Sequence, residues 1–206
     1  MPSPRTTLHR PRNVSKARLR VEDRNGRTVV VKDYSGSRGL LKLYGRFTLG
    51  NETRAYNRLA GIPGIPSWCS RTGPDTLEIA YVAGTPLSSR KPGTVPGDVF
   101  DRLEKLLEAM HGRGVANSDV HRANVLVTDA GRVYLVDFAH AVVARNPARP
   151  GMLVRTLMEL DRHACARMRA RYLNQPAPAP TGVFGFLYSA GSLWKKILRR
   201  AKKLVR

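Results

Sequence analysis

The chain has 206 residues, 42% of them hydrophobic, and a formal net charge of +21. That length can bury roughly 70% of the unfolded surface, so one domain with tails needs no disulfide or metal staple. Two distant cysteines, Cys69 and Cys165, lack metal-ligand spacing and read as reduced thiols; the N-terminus has no apolar leader core, and no run is long enough to span a bilayer.

The excess charge is uneven. Residues 1–32 and 141–206 carry most of it, whereas residues 98–140 are slightly acidic. A basic periphery that attracts polyanions and a locally acidic site are two separate requirements.

In chain order, residues 1–15 form a Pro- and Arg-rich arm. Residues 17–34 alternate around Asp23-Arg24-Asn25-Gly26 and predict a β-hairpin, its second strand the β-branched run 28–31 ending at Lys32. Residues 35–61 have helical spacing in two parts: Leu40, Leu41, Tyr44 and Phe47 form one stripe, and Tyr56, Leu59 and Ala60 a second, with Gly61 as stop. A rigid "IPGIP" connector follows, then a second hairpin turning at Gly73-Pro74-Asp75. Residues 85–97, rich in Pro and Gly, predict a loop. Residues 97–114 predict a strong amphipathic helix with Phe100, Leu103, Leu106, Leu107 and Met110 on one face. Short strands at 125–127 and 133–138 flank the turn Asp129-Ala130-Gly131, and residues 151–173 are helical. "QPAPAP" (175–180) is a linker of polyproline type.

Hairpin, helix, hairpin, loop, helix, hairpin, helices is an α+β order, with strands in front and helices behind. It predicts a compact bilobal molecule. An antiparallel sheet lobe spans about 16–84, a reduced helical lobe about 85–174, and a cleft between them is the natural ligand site.

Five residues fall in a telling order. Lys32 ends an apolar strand, and Glu52 lies on a helix 20 residues later. Asp119 and Asn124 form D-x-x-x-x-N after a long helix, and Asp137 heads "DF" at the end of a strand. Each is weak alone; together, on these element types, they are specific. Over residues 17–140 the chain resembles the protein-kinase-like superfamily. The resemblance implies an ATP- and Mg²⁺-dependent kinase: Lys32 on the nucleotide phosphates and paired with Glu52, Asp119 as the catalytic group facing the acceptor hydroxyl, and Asn124 and Asp137 as metal ligands. It also makes "AYVAG" (80–84) the hinge.

The departures refine this. No G-x-G-x-x-G precedes Lys32, which leaves the phosphates to another backbone loop near residues 13–16. H-R-D is replaced by Asn117-Ser118-Asp119, which argues against control by activation-loop phosphorylation. No A-P-E follows, so the platform that holds peptide substrates in protein kinases is largely missing. His121 makes the loop D-x-H-x-x-N and takes a structural role. "VVVKDY", "GNETRAYNRLAGIPGIP" and "DVHRANVLV" are most similar to bacterial lipopolysaccharide-core kinases and their RIO-like relatives. The expected acceptor is therefore a hydroxyl on a membrane-anchored sugar, the alternatives being a RIO-like protein serine/threonine kinase and a nucleotide-binding pseudokinase.

The C-terminal "SLWKKILRRAKKLVR" is amphipathic and basic, and residues 193–206 suit an anionic membrane surface better than nucleic acid. A cytoplasmic location, peripheral on the inner face of the membrane, is the matching expectation.

Overall fold

The computed structural model describes residues 17–24 and 26–179. The N-terminal arm, the proposed phosphate-covering stretch 13–16 and the basic segment 193–206 lie outside the described residues.

Strands β1 (Arg18–Arg24) and β2 (Arg27–Asp33) pair antiparallel, with Val21 opposite Val30 and Leu19 opposite Lys32. Helix α1 (Gly39–Leu59) follows, then β3 (Cys69–Gly73) and β4 (Thr76–Ala80). The sheet order is β1-β2-β4-β3, so β4 crosses to pair with β2 and brings Leu77 opposite Lys32. Alternation along β2 sends Val30 and Lys32 to the face opposite Val29 and Val31.

The predicted two-part helix is one helix. Its C-terminal stripe packs inward, with Leu49, Glu52, Ala55, Tyr56 and Leu59 buried. The N-terminal stripe does not: Leu40, Leu41, Leu43, Tyr44 and Phe47 are exposed. A glycine sets how closely α1 can lie: a Cβ on Gly45 would come within 2.4 Å of the Tyr34 ring.

The 85–97 loop contains a short strand, β5 (Thr85–Pro86), and a 3-10 turn at Leu87–Ser89. Then come α2 (Asp98–Gly112), β6 (Val115–Ala116), β7 (Val125–Val127), β8 (Val133–Leu135), β9 (Val142–Val143) and α3 (Met152–Tyr172). β5, β7 and β8 form a three-stranded sheet, and β6 pairs with β9. The α2 stripe Phe100, Leu103, Leu106, Leu107, Met110 is buried as its spacing predicts. Tyr172 of α3 packs on Phe100, and its hydroxyl donates to the Leu87 carbonyl at 2.5 Å.

One apolar core runs from Leu49 and Leu77 through Leu103 to Phe138 and Tyr172. The lobes meet at Gly64, which holds φ +92°. Its carbonyl accepts from Leu135 N–H at 2.9 Å, and a Cβ there would sit 2.8 Å from the Val133 carbonyl. Cys69 and Cys165 are free thiols. Burial pushes Cys69 up to about 11 and Cys165 up to about 12.

Candidate active site

Lys32 leaves β2 on the side that faces α1. Its Nζ lies 2.6 and 2.9 Å from the Glu52 carboxylate oxygens and 3.0 Å from Asp137 Oδ1. Glu52 is 1% exposed, and it also accepts the Phe138 N–H at 3.2 Å. A buried carboxylate needs partners on both oxygens, and this one has them. Burial acts to lower the Lys32 pKa, but Glu52 and Asp137 outweigh it and hold the ammonium above its ordinary value. Burial also acts to raise Asp137, yet Lys32 draws it below the usual carboxylate range. Burial raises Glu52 despite Lys32.

These shifts fix a sign. The Asp137 contribution is present above the ordinary carboxylate pKa of about 4 and is lost as pH falls; the Lys32 contribution is present below about 10 and is lost as pH rises. Lys32→Met leaves two facing carboxylates without a cation. It is expected to lower stability near pH 7 by about 1–3 kcal/mol, less than a sealed pair because Asp137 is partly exposed and Glu52 can take up a proton. The difference in thermal midpoint from the parent should shrink toward pH 4, as the carboxylates protonate; a difference independent of pH would contradict the pairing.

Asp119 and Asn124 share the loop between β6 and β7. The Asn124 side-chain amide donates to the Asp119 carbonyl at 3.2 Å, and its backbone N–H donates to the His121 carbonyl at 2.9 Å. The Asp119 carboxylate has a side-chain exposure of 43%. His121 Nδ1 accepts from Ala123 N–H at 3.2 Å, which puts a neutral ring's proton on Nε2, 3.6 Å from Asp119. That ring shapes the loop, as expected.

Asp137 lies just beyond the last residue of β8, not on the strand, with φ +68°. Ser118 has φ +61°. Non-glycine residues in this region are held by their surroundings. The fully buried Asn117 does much of that holding: its Oδ1 accepts from Asp119 N–H at 3.0 Å and its Nδ2 donates to the Asp137 carbonyl at 3.1 Å. Ser118 Oγ donates to the His140 carbonyl at 2.7 Å.

Three positioning residues escaped the sequence pattern. Asp161 of α3, 0% exposed, accepts Asn117 N–H and Ser118 N–H, each at 2.8 Å, and pairs with His111 Nε2 at 3.1 Å. His111 is buried at the end of α2. Asn51, beside Glu52, donates through Nδ2 to the carbonyls of Ala139 (3.1 Å) and Ala141 (2.5 Å). α1 therefore grips the Asp137 loop twice. Asn51→Ala is expected to lower stability by about 1–3 kcal/mol, since two hydrogen bonds at about 0.5–1.5 kcal/mol each are lost; an unchanged thermal midpoint would show the grip to be irrelevant.

The oxygens of Asp137 and Asn124 suit magnesium, which keeps several water and phosphate ligands and takes few from protein. Among the described residues no group of three or more His, Cys, Asp or Glu could hold a metal unaided. A cavity of about 640 Å³ lies elsewhere, between residues 61–67, the 80–83 connector and the β7–β8 turn, and includes none of the acidic site residues.

This sheet lobe, helical lobe and polar cluster define the protein-kinase-like fold. Crystal structures of the Rio2 kinase from Chaetomium thermophilum have it too. One, a complex with ADP/Mg²⁺ and phosphoaspartate, superposes with a TM-score of 0.64 at 16% identity, covering 87% of this chain. Another gives 0.63 at 16% identity over 83% of this chain. This chain covers 58% of the length of each. A curated protein, the probable SapB synthase of Streptomyces coelicolor, is 31% identical over 150 residues, which is 59% of this chain and 16% of that protein. No protein-family model matches the chain.

Proposed function

We propose that this chain is an ATP- and Mg²⁺-dependent phosphotransferase acting on a hydroxyl. The carrying observation is that Lys32, Glu52 and Asp137 make one ion cluster while Asn117 ties Asp137 to Asp119. In this reading Lys32 neutralises nucleotide phosphate, and Asn124 and Asp137 hold magnesium, which screens the phosphate charge when bound. Asp119 accepts the acceptor's proton as its oxygen bonds the γ-phosphorus, and the bond from that phosphorus to the β–γ bridging oxygen breaks, releasing ADP. A scaffold without chemistry would not require all five residues in these relations.

Likeness to Rio2 favours a protein serine or threonine as acceptor. The basic residues 193–206 support the second reading, a membrane-anchored sugar of lipopolysaccharide-core type, with the protein peripheral on the inner face of the cytoplasmic membrane. No described helix is long and apolar enough to cross a membrane.

The test is transfer from γ-labelled ATP with Mg²⁺ to either a protein acceptor or inner-membrane glycolipid, beside Asp119→Ala. Hydroxylamine-resistant label in protein supports the first acceptor, and label in lipid the second. Label that is hydroxylamine-sensitive and stays on the chain would mark an acyl phosphate and overturn hydroxyl transfer. Absence of Asp119-dependent label in every condition would overturn the enzyme reading.

A further inference from the structure

Exposed large apolar side chains among the described residues are concentrated on α1. Its first half presents Leu40 (85% exposed), Leu43 (64%), Tyr44 (42%) and Phe47 (65%) at helical spacing i, i+3, i+4, i+7. Leucine and phenylalanine this exposed on one stripe mark an interaction surface rather than scatter. The opposite face of the helix is the one that packs inward.

The surroundings are basic. The only acidic residue of α1 is Glu52, which is buried, and exposed Arg38 and Arg54 flank the stripe. The nearby Asp75 is already matched by Lys42 and Arg46. α1 packs on β9. From the other direction the start of α3 packs through Val154 and Met158 onto Ala144 and Ala116. That start exposes Met152 (79%) and Leu153 (66%). Residues 138–158 contain no Asp or Glu, and Arg145, Arg149 and Arg155 are exposed there.

Two apolar groups thus border the segment that follows Asp137, set among the exposed Arg38, Arg54, Arg145, Arg149 and Arg155, which outnumber the exposed Glu159 of α3. Apolar side chains with an amphipathic tyrosine and a basic surround are what binds at the headgroup boundary of an anionic bilayer. We propose that the exposed stripe of α1, with Met152 and Leu153 of α3, seats the molecule on an anionic lipid surface. The contact is separate from the basic segment 193–206, and it does not rest on phosphotransfer. Because α1 also bears Asn51 and Glu52, the element that meets lipid is the element that grips the Asp137 loop.

The experiment uses the full chain without nucleotide, sedimented with phosphatidylcholine vesicles with and without phosphatidylglycerol. Leu40→Ser, Leu43→Ser and Phe47→Ser together change only exposed side chains, and circular dichroism checks the fold. Binding to the anionic vesicles should weaken at least tenfold in this variant, and Met152→Ser with Leu153→Ser should weaken it further. Unchanged binding, as expected if residues 193–206 carry it all, overturns the proposal. So does a loss of self-association in the triple variant with vesicle binding intact, which would assign the stripe to a second copy of the chain.

Discussion

Asp119→Ala is expected to cut phosphoryl transfer by about 10²–10⁴ while leaving the fold and nucleotide binding in place. The loop does not depend on that carboxylate. Asp119 is anchored through its backbone, by its N–H to Asn117 and its carbonyl to Asn124, and its half-exposed side chain lies beside His121. Truncation therefore removes the proposed proton acceptor and little else, and stability should stay within about 0.5 kcal/mol of the parent. Asp119→Asn keeps the shape and loses the base, so it should fall nearly as far. Single-turnover rates with ATP affinity measured alongside decide the matter. Weakened ATP binding with an unchanged chemical step would assign Asp119 to the nucleotide instead.

Asp161→Ala should be the most damaging substitution for stability, about 3–5 kcal/mol, because it removes the shared acceptor of three donors at about 1–3 kcal/mol each. One carboxylate there serves three donors: the N–H groups of Asn117 and Ser118 and the His111 ring. Its loss strands the Asn117 N–H and the His111 ring in the interior and leaves the half-buried Ser118 N–H without its partner. At about 2–4 °C per kcal/mol for a domain of this size, the thermal midpoint should drop by roughly 6–20 °C. Asp161→Asn should rescue only part of this, since its amide nitrogen would face another donor. Activity measured well below the lowered midpoint should remain depressed, because Ser118 at φ +61° loses the contact on its N–H. A midpoint within a degree or two of the parent would refute the anchoring role.

The element order was readable because hydrophobic period and turn chemistry agree along most of the chain. α2 and the β1–β2 hairpin are clear instances. The juxtaposition of Lys32, Glu52 and Asp137, and of Asp119 with Asn124, matches the order in which the motif residues occur. The supports were not readable. Asp161 falls on the apolar stripe of α3, between Met158 and Cys165, so periodicity places it inside without naming its partners, and only the tertiary packing shows that it is sealed against the Asn117 loop and that Asn51 is aimed at two carbonyls. Asn117 departs from the H-R-D pattern in sequence, and its bridging of two loops depends on complete burial. The α1 stripe shows the converse limit. Periodicity reports that residues share a face but not whether anything covers it, and Leu40 to Phe47 share a face that is open.

The span of the site along the chain bears on how the protein comes to be made. Lys32 and Asp137 are 105 residues apart, Glu52 and Phe138 are 86 apart, and Ser118 waits for Asp161. During synthesis the first hairpin and α1, with Lys32 and Glu52, can form from local contacts before Asp137, Phe138 and Asp161 have emerged. Closing such long loops carries an entropic cost that local pairing does not, which delays the site relative to the elements that bear it. A nascent chain halted before residue 161 would hold both sheet-lobe hairpins with its reactive loop unanchored. Acquisition of ATP binding should therefore trail acquisition of secondary structure in refolding.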